Sequence, residues 1–113
     1  MNTLQNEIRL IGRVGSDVES KTLDNGVKVA NLSLATNYSY TNKAGEKVND
    51  TDWHRLEAWG NIADRIEKYV VQGNQLAVSG RLTYDEWESK EGVKVRSAVI
   101  RISEVLFLTP RNK

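Results

Sequence analysis

Asp52-Trp53-His54-Arg55-Leu56-Glu57-Ala58-Trp59-Gly60-Asn61-Ile62-Ala63-Asp64-Arg65-Ile66-Glu67-Lys68-Tyr69-Val70-Val71-Gln72-Gly73 changes its period part-way along. From Asp52 to Trp59 the alternation is two-fold. Trp53, Arg55, Glu57 and Trp59 share one face of a strand, and His54, Leu56 and Ala58 share the other. From Asn61 onward, Ile62, Ile66, Tyr69 and Val70 fall at helical spacing. Asn61 is the expected N-cap, and Gly73 suits the left-handed position after a helix.

No second helical stretch flanks this one. Upstream, Glu7 to Val14 alternates as a strand, with Ile8, Leu10 and Gly12 on one face. Asp24-Asn25-Gly26 is a turn signal, because Asn-Gly accepts the positive φ of a tight hairpin. Val27 to Thr36 reads as the second strand. Its apolar positions are odd at Val27 and Val29 and even at Leu32 and Leu34, which predicts a bulge near Ala30-Asn31. Residues 37–51 are polar and contain Ala44-Gly45, so a long loop or a flexible hairpin tip is expected. Downstream, Gln75 to Trp87 is the fourth strand and Ser89-Lys90-Glu91-Gly92 a turn. Val93 to Leu108 is the fifth, with a second phase change between Val99 and Ile100.

Three strands, one helix and two strands give an all-β chain. The expected architecture is a five-stranded Greek-key barrel with the helix between strands 3 and 4, the OB-fold. An open α+β sheet is also compatible with the pattern.

The chain's 113 residues suit one domain, here 1–108, with 109–113 as a short C-terminal tail. It has no cysteine, which excludes disulfides and thiolate metal sites and fits a reducing cytoplasm. Residues 1–6 contain no apolar run, so no secretory signal is expected. No stretch approaches the roughly 20 apolar residues of a membrane helix. The net charge is +1, from 16 Lys+Arg against 15 Asp+Glu. Binding to phosphates by charge alone would call for a more basic chain. Stacking offers another source of affinity, about 1–3 kcal/mol per base on an aromatic ring.

The aromatic residues are therefore the candidates. Trp53 and Trp59 flank Arg55 on one strand face, a stacking platform with a cation for phosphate. Alternation is equally compatible with the two tryptophans facing the core. Tyr38 and Tyr40 lie in polar company beside Lys43 and Lys47, and Trp87 among Asp85, Glu86, Glu88 and Lys90, so these three are expected to be exposed. His54 is the single histidine. Beside Leu56 and Ala58 it reads as a structural or interface residue rather than a catalytic one. No metal-ligand spacing, phosphate loop or nucleophile elbow occurs, so no cofactor, metal or catalytic residue is expected.

Several stretches together resemble a known family: Ile8-Arg9-Leu10-Ile11-Gly12-Arg13-Val14-Gly15, Asn25-Gly26, Val29-Ala30-Asn31-Leu32-Ser33-Leu34-Ala35-Thr36, Thr51-Asp52-Trp53-His54-Arg55-Leu56, Trp59-Gly60, Val78-Ser79-Gly80-Arg81-Leu82 and Trp87. From Met1 to about Leu108 the chain resembles the DNA-binding domain of bacterial-type single-stranded DNA-binding proteins. The Trp-His-Arg triplet and the Ala-Asn-x-Ser-Leu-Ala-Thr strand carry most of that signal. The resemblance implies an OB-fold, usually a homotetramer, that binds single-stranded DNA in replication, repair and recombination. It places the base-stacking aromatics at Tyr40, Trp53, Trp59 and Trp87, and a subunit-contact histidine at His54. Tyr40 stands where tryptophan is common and Trp59 where phenylalanine is common, and both keep a π face.

The departures are acidic. Thr83-Tyr84-Asp85-Glu86 replaces a usually basic segment, and Glu7 and Asn61 fall where lysine is frequent. Weaker binding, or greater reliance on stacking, is expected. The chain closes on Pro110-Arg111-Asn112-Lys113, without the acidic tail that recruits partners in typical members, so tail-mediated partners are not expected. The resulting expectation is a cytoplasmic, non-catalytic, sequence-tolerant binder of single-stranded DNA. Tyr40, Trp53, Trp59 and Trp87 stack bases, and Arg9, Arg13, Arg55, Arg81, Lys43 and Lys47 meet phosphates. Two rival readings are a primosome accessory OB-fold protein and an OB-fold interaction scaffold that does not bind DNA.

Overall fold

The computed structural model describes residues 4–109; of the short tail expected from 109 onward, residues 110–113 lie outside the described residues. The elements are β1 (Ile8–Val14), β2 (Glu19–Thr22), β3 (Lys28–Thr41), β4 (Lys47–Trp59), α1 (Asn61–Tyr69), β5 (Gln75–Glu88) and β6 (Lys94–Phe107). The strands pair in the order β1-β5-β6-β4-β3-β2, and β1 also pairs with β3. That extra pairing closes β1, β5, β6, β4 and β3 into a ring of five, with β2 hanging on β3 as a hairpin. This is the OB-fold. The expected helix is present, between β4 and β5 once β2 is counted.

Inward-facing residues from every barrel strand fill the core. Val14, Leu34, Leu56 and Leu76 are at most 2% exposed. Ala63, Ile66 and Val70 carry the apolar stripe of the helix into the same cluster, so α1 plugs one end of the barrel. Truncating a residue such as Leu56 to alanine should cost about 2–5 kcal/mol. On the helix's outer side, Lys28 Nζ meets Glu67 Oε1 at 2.7 Å and Asp64 at 3.4 Å. Glu67 also accepts from the Ser20 hydroxyl. The hydrogen bond with Glu67 raises the Lys28 pKa, and the Lys28 ammonium lowers that of Glu67.

Several expectations are corrected. β2 was not foreseen: Glu-Ser-Lys-Thr is exposed at all four positions and offers no alternation to read. The β3–β4 register runs unshifted from Val29↔Trp59 to Thr41↔Lys47, so there is no bulge at Ala30-Asn31. Ala30 enters the core while Val29 is buried on the outer face opposite Trp59, which accounts for the broken alternation. The second phase change falls at Ser103, not between Val99 and Ile100. There the β5–β6 register slips by one, and Ser103 Oγ donates to the Ser79 carbonyl. The inward set passes from Ile100 and Ile102 to Val105 and Phe107, while Val99 is buried on the outside.

The helix N-cap is Gly60 (φ 64°) rather than Asn61, with no side-chain cap. The Gly60 N–H donates to the Lys28 carbonyl, which ties the helix start to β3. Gly73 (φ 94°) comes four residues after the helix ends, and its N–H donates to the Val14 carbonyl in the turn into β5. Residues 37–51 are mostly paired strand rather than loop. Asn42 Oδ1 closes the tip by accepting the N–H groups of Ala44 and Glu46. Such arms explain a radius of gyration of 16.2 Å, against about 13 Å for a compact chain of this length.

Candidate nucleic-acid interface

β4 is the spine of the candidate surface. Its inward residues Leu56 and Ala58 are buried, so Trp53, Arg55, Glu57 and Trp59 face outward. The open choice between core and surface tryptophans is thereby decided for Trp53, which is 65% exposed. The Cζ3 edge of its ring abuts Gly15: a Cβ there would stand 2.2 Å from Trp53 Cζ3 and 3.1 Å from Cε3 and Cη2. Gly15 thus leaves room for the edge of the indole, and most of the ring stays open to solvent.

Neighbouring strands extend the surface in rows, since directly paired residues share a face. Arg13, Ala35 and Trp53 form one row across β1, β3 and β4. Arg55 Nη1 donates to Ser97 Oγ at 3.1 Å, bridging to β6, and Ser97 pairs with Asp85 on β5. Glu57, Arg101 and Arg81 form a further row. Trp87, 47% exposed, shares the Asp85 face two residues along. One outward surface therefore combines Trp53, Trp59 and Trp87 with four arginines.

Trp59 is only half-buried, not open like Trp53. Its Nε1 donates to Glu57 Oε1 at 2.5 Å, and the Arg101 guanidinium lies 4.5 Å from its ring centroid. Arg101 was missed from sequence, although Ile100-Arg101-Ile102 alternates in a way that turns the arginine outward. Tyr40 is 49% exposed but five positions from Ala35, on the opposite face of the β3–β4 ribbon. There it stacks with Tyr38, centroids 6.2 Å apart. The Tyr38 hydroxyl donates to Asp50 Oδ2 at 3.2 Å, and this bond raises the Tyr38 pKa. Lys43 and Lys47 are exposed at the tip of this arm, and Arg81 is exposed on β5.

Two expected contacts have other partners. Arg13 Nη1 donates to the Gly73 carbonyl at 3.0 Å while keeping its place in the Trp53 row. Arg9 is ion-paired to Glu7 at 2.9 Å and lines a separate shallow groove of about 820 Å³ over β1, β5 and β6, with Glu104 also on its rim. It lies four residues, about 13 Å of strand, from Arg13. His54 is half-buried where the arm leaves the barrel, its Nε2 2.9 Å from Thr36 Oγ1.

Residues 5–108 match the model of the single-strand binding protein family. The chain belongs to that family. A single-stranded DNA-binding protein 1 of Chlorobaculum tepidum is 34% identical over 91% of this chain and 64% of its own length. A single-stranded DNA-binding protein of Neisseria meningitidis is 30% identical over 96% of this chain and 62% of its own. The chain thus spans a little under two thirds of these curated relatives. Among solved structures, the Plasmodium falciparum SSB in complex with ssDNA superposes with a TM-score of 0.88 at 36% identity, covering 96% of this chain and 98% of that one. Among the described residues, no helix is long and apolar enough to cross a membrane.

Proposed function

We propose that this family member binds single-stranded DNA with little sequence preference and holds it unpaired during replication, repair and recombination. The observation that carries this reading is Trp53: its ring is 65% exposed, meets Gly15 only along its Cζ3 edge, and stands in one row with Arg13. A nucleobase of any identity can stack on such a face, while arginines nearby meet the phosphates. The solved complex of the Plasmodium falciparum relative with ssDNA supports the choice of ligand. The OB domain, 1–108, is the binding unit, and no step of the reading needs catalysis.

In this reading Trp53 and Trp87 are the principal stacking residues. Trp59 acts together with Arg101, and Tyr40 serves the second face of its arm. Arg13, Arg55, Arg81, Arg101, Lys43 and Lys47 meet phosphates. Arg9 belongs instead to a subunit face. Ile11 and Leu106, each 62% exposed, flank Ala77 in one row, and Arg9, Ser79 and Glu104 form the next. An apolar strip edged by opposite charges suits burial against a second copy. That supports a homo-oligomer, with a tetramer as the expected size and His54 at a second contact. The site of action is the cytoplasm.

Competition binding tests the proposal. Labelled oligo-dT should be displaced by unlabelled single strands of mixed sequence at similar concentrations, and by duplex DNA only at far higher ones. Equal competition by duplex would overturn it.

A further inference from the structure

β5 and β6 continue past the barrel as a two-stranded arm, Tyr84 to Glu88 against Lys94 to Ala98. Trp87 occupies one face with Asp85, Val95 and Ser97. The other face carries Tyr84, Glu86, Arg96 and Ala98, by the alternation of the pleat. Tyr84 is 50% exposed, as open as Trp87. Opposite it, Ala98 is small and leaves the ring room. From the diagonal position Arg96 lays its guanidinium 4.1 Å from the ring centroid.

The acidic residues on this face have cations across the ladder. Arg96 Nε is 3.7 Å from Glu86 Oε1, and Glu88 pairs with Lys94. The acidic look of Asp85-Glu86 in the sequence is thus partly offset by β6, and what remains is a planar cation on an open aromatic ring. Nothing in the barrel core requires that pair.

We propose that Tyr84 and Arg96 form a second stacking position for an unpaired nucleobase, on the face of the arm opposite Trp87. The single strand then passes around the edge of the arm. This inference rests on the single-strand reading above. The ring and the guanidinium are both flat surfaces that accept any base, and Arg96 adds charge for the adjoining phosphate. Tyr84 and Trp87 are three residues apart, about 10 Å of strand, so one bound strand can reach both.

Substitution and photo-crosslinking test this together. Tyr84→Leu removes the π face but keeps apolar bulk, and Tyr84→Phe keeps the ring. At low salt, Tyr84→Leu should weaken oligo-dT binding about fivefold or more, with Tyr84→Phe within twofold of the parent. Oligonucleotides carrying 5-iodouracil should give adducts on Tyr84 as well as on tryptophan, mapped by mass spectrometry. Binding by Tyr84→Leu within twofold of the parent, or adducts confined to tryptophan, would overturn the second position while leaving the single-strand reading intact. A parent protein that fails to bind oligo-dT would overturn both.

Discussion

Adding one methyl group at Gly15 should disarm the proposed platform without unfolding the barrel. A Cβ built there meets Trp53 Cζ3 at 2.2 Å and Cε3 and Cη2 at 3.1 Å. None of these contacts is backbone, Gly15 has no positive φ, and Trp53 is 65% exposed, so the indole can swing away into solvent. The cost should therefore fall on binding: Gly15→Ala should lose what one stacked base contributes, about 1–3 kcal/mol, or roughly 5- to 150-fold in affinity. Gly12 and Gly80 supply the contrast. There a Cβ would stand 2.3 Å from the Ala35 carbonyl oxygen and 2.2 Å from that of Arg101, inside the ladders that close the barrel. Overpacking of that kind costs about 1–3 kcal/mol or more, which at about 4–8 °C per kcal/mol should lower Tm by roughly 5–20 °C. Oligo-dT titration at fixed salt, with thermal melts followed by circular dichroism, separates the two effects. Binding by Gly15→Ala within twofold of the parent, or a melt as early as that of Gly80→Ala, would rule out a stacking role for Trp53 held by Gly15.

Trp53→Ala should weaken oligo-dT binding by about 1–3 kcal/mol and leave Tm nearly unchanged; a collapsed melt would show that the ring is structural. Ile11→Glu should reduce the assembled mass by placing a charge in the exposed Ile11–Ala77–Leu106 row, and His54→Tyr should loosen the assembly as well; light scattering that reports the parent mass for both would refute the subunit faces. Tyr38 should ionise above the usual tyrosine value because its hydroxyl donates to Asp50. Its neutral form is favoured when folded, so the contribution to stability is complete below the ordinary pKa near 10 and is lost as pH rises through the raised one. Alkaline absorbance titration of Asp50→Asn should move Tyr38 back toward the ordinary value.

The sequence discloses the fold wherever one face of an element is wet and the other dry. β1, the inner half of β4 and α1 fit that description, and their alternation was legible. It misleads where both faces are covered. Val29 and Ala30, and again Val99 and Ile100, are adjacent pairs in which both side chains are buried, so each imitates a bulge. It falls silent where both faces are wet: β2 and the two hairpin arms keep their pairing through backbone bonds with scarcely any apolar pattern to show for it. In the candidate site, alternation placed Trp53 beside Arg55. The room for the edge of Trp53 comes from Gly15, which is remote in sequence, and the cover on Trp59 comes from Arg101 on β6. Both are products of barrel closure, which single-strand periodicity does not encode.

Tryptophan emission during titration with oligo-dT reports on the stacking rings themselves, because Trp53 and Trp87 are exposed and each should lose emission when a base stacks on it. At micromolar protein and low salt, quenching should be saturable and should persist in part, with reduced affinity, in Trp53→Ala. Emission that stays constant while an independent assay reports bound DNA would contradict it: the strand would then be held by some other surface of the barrel.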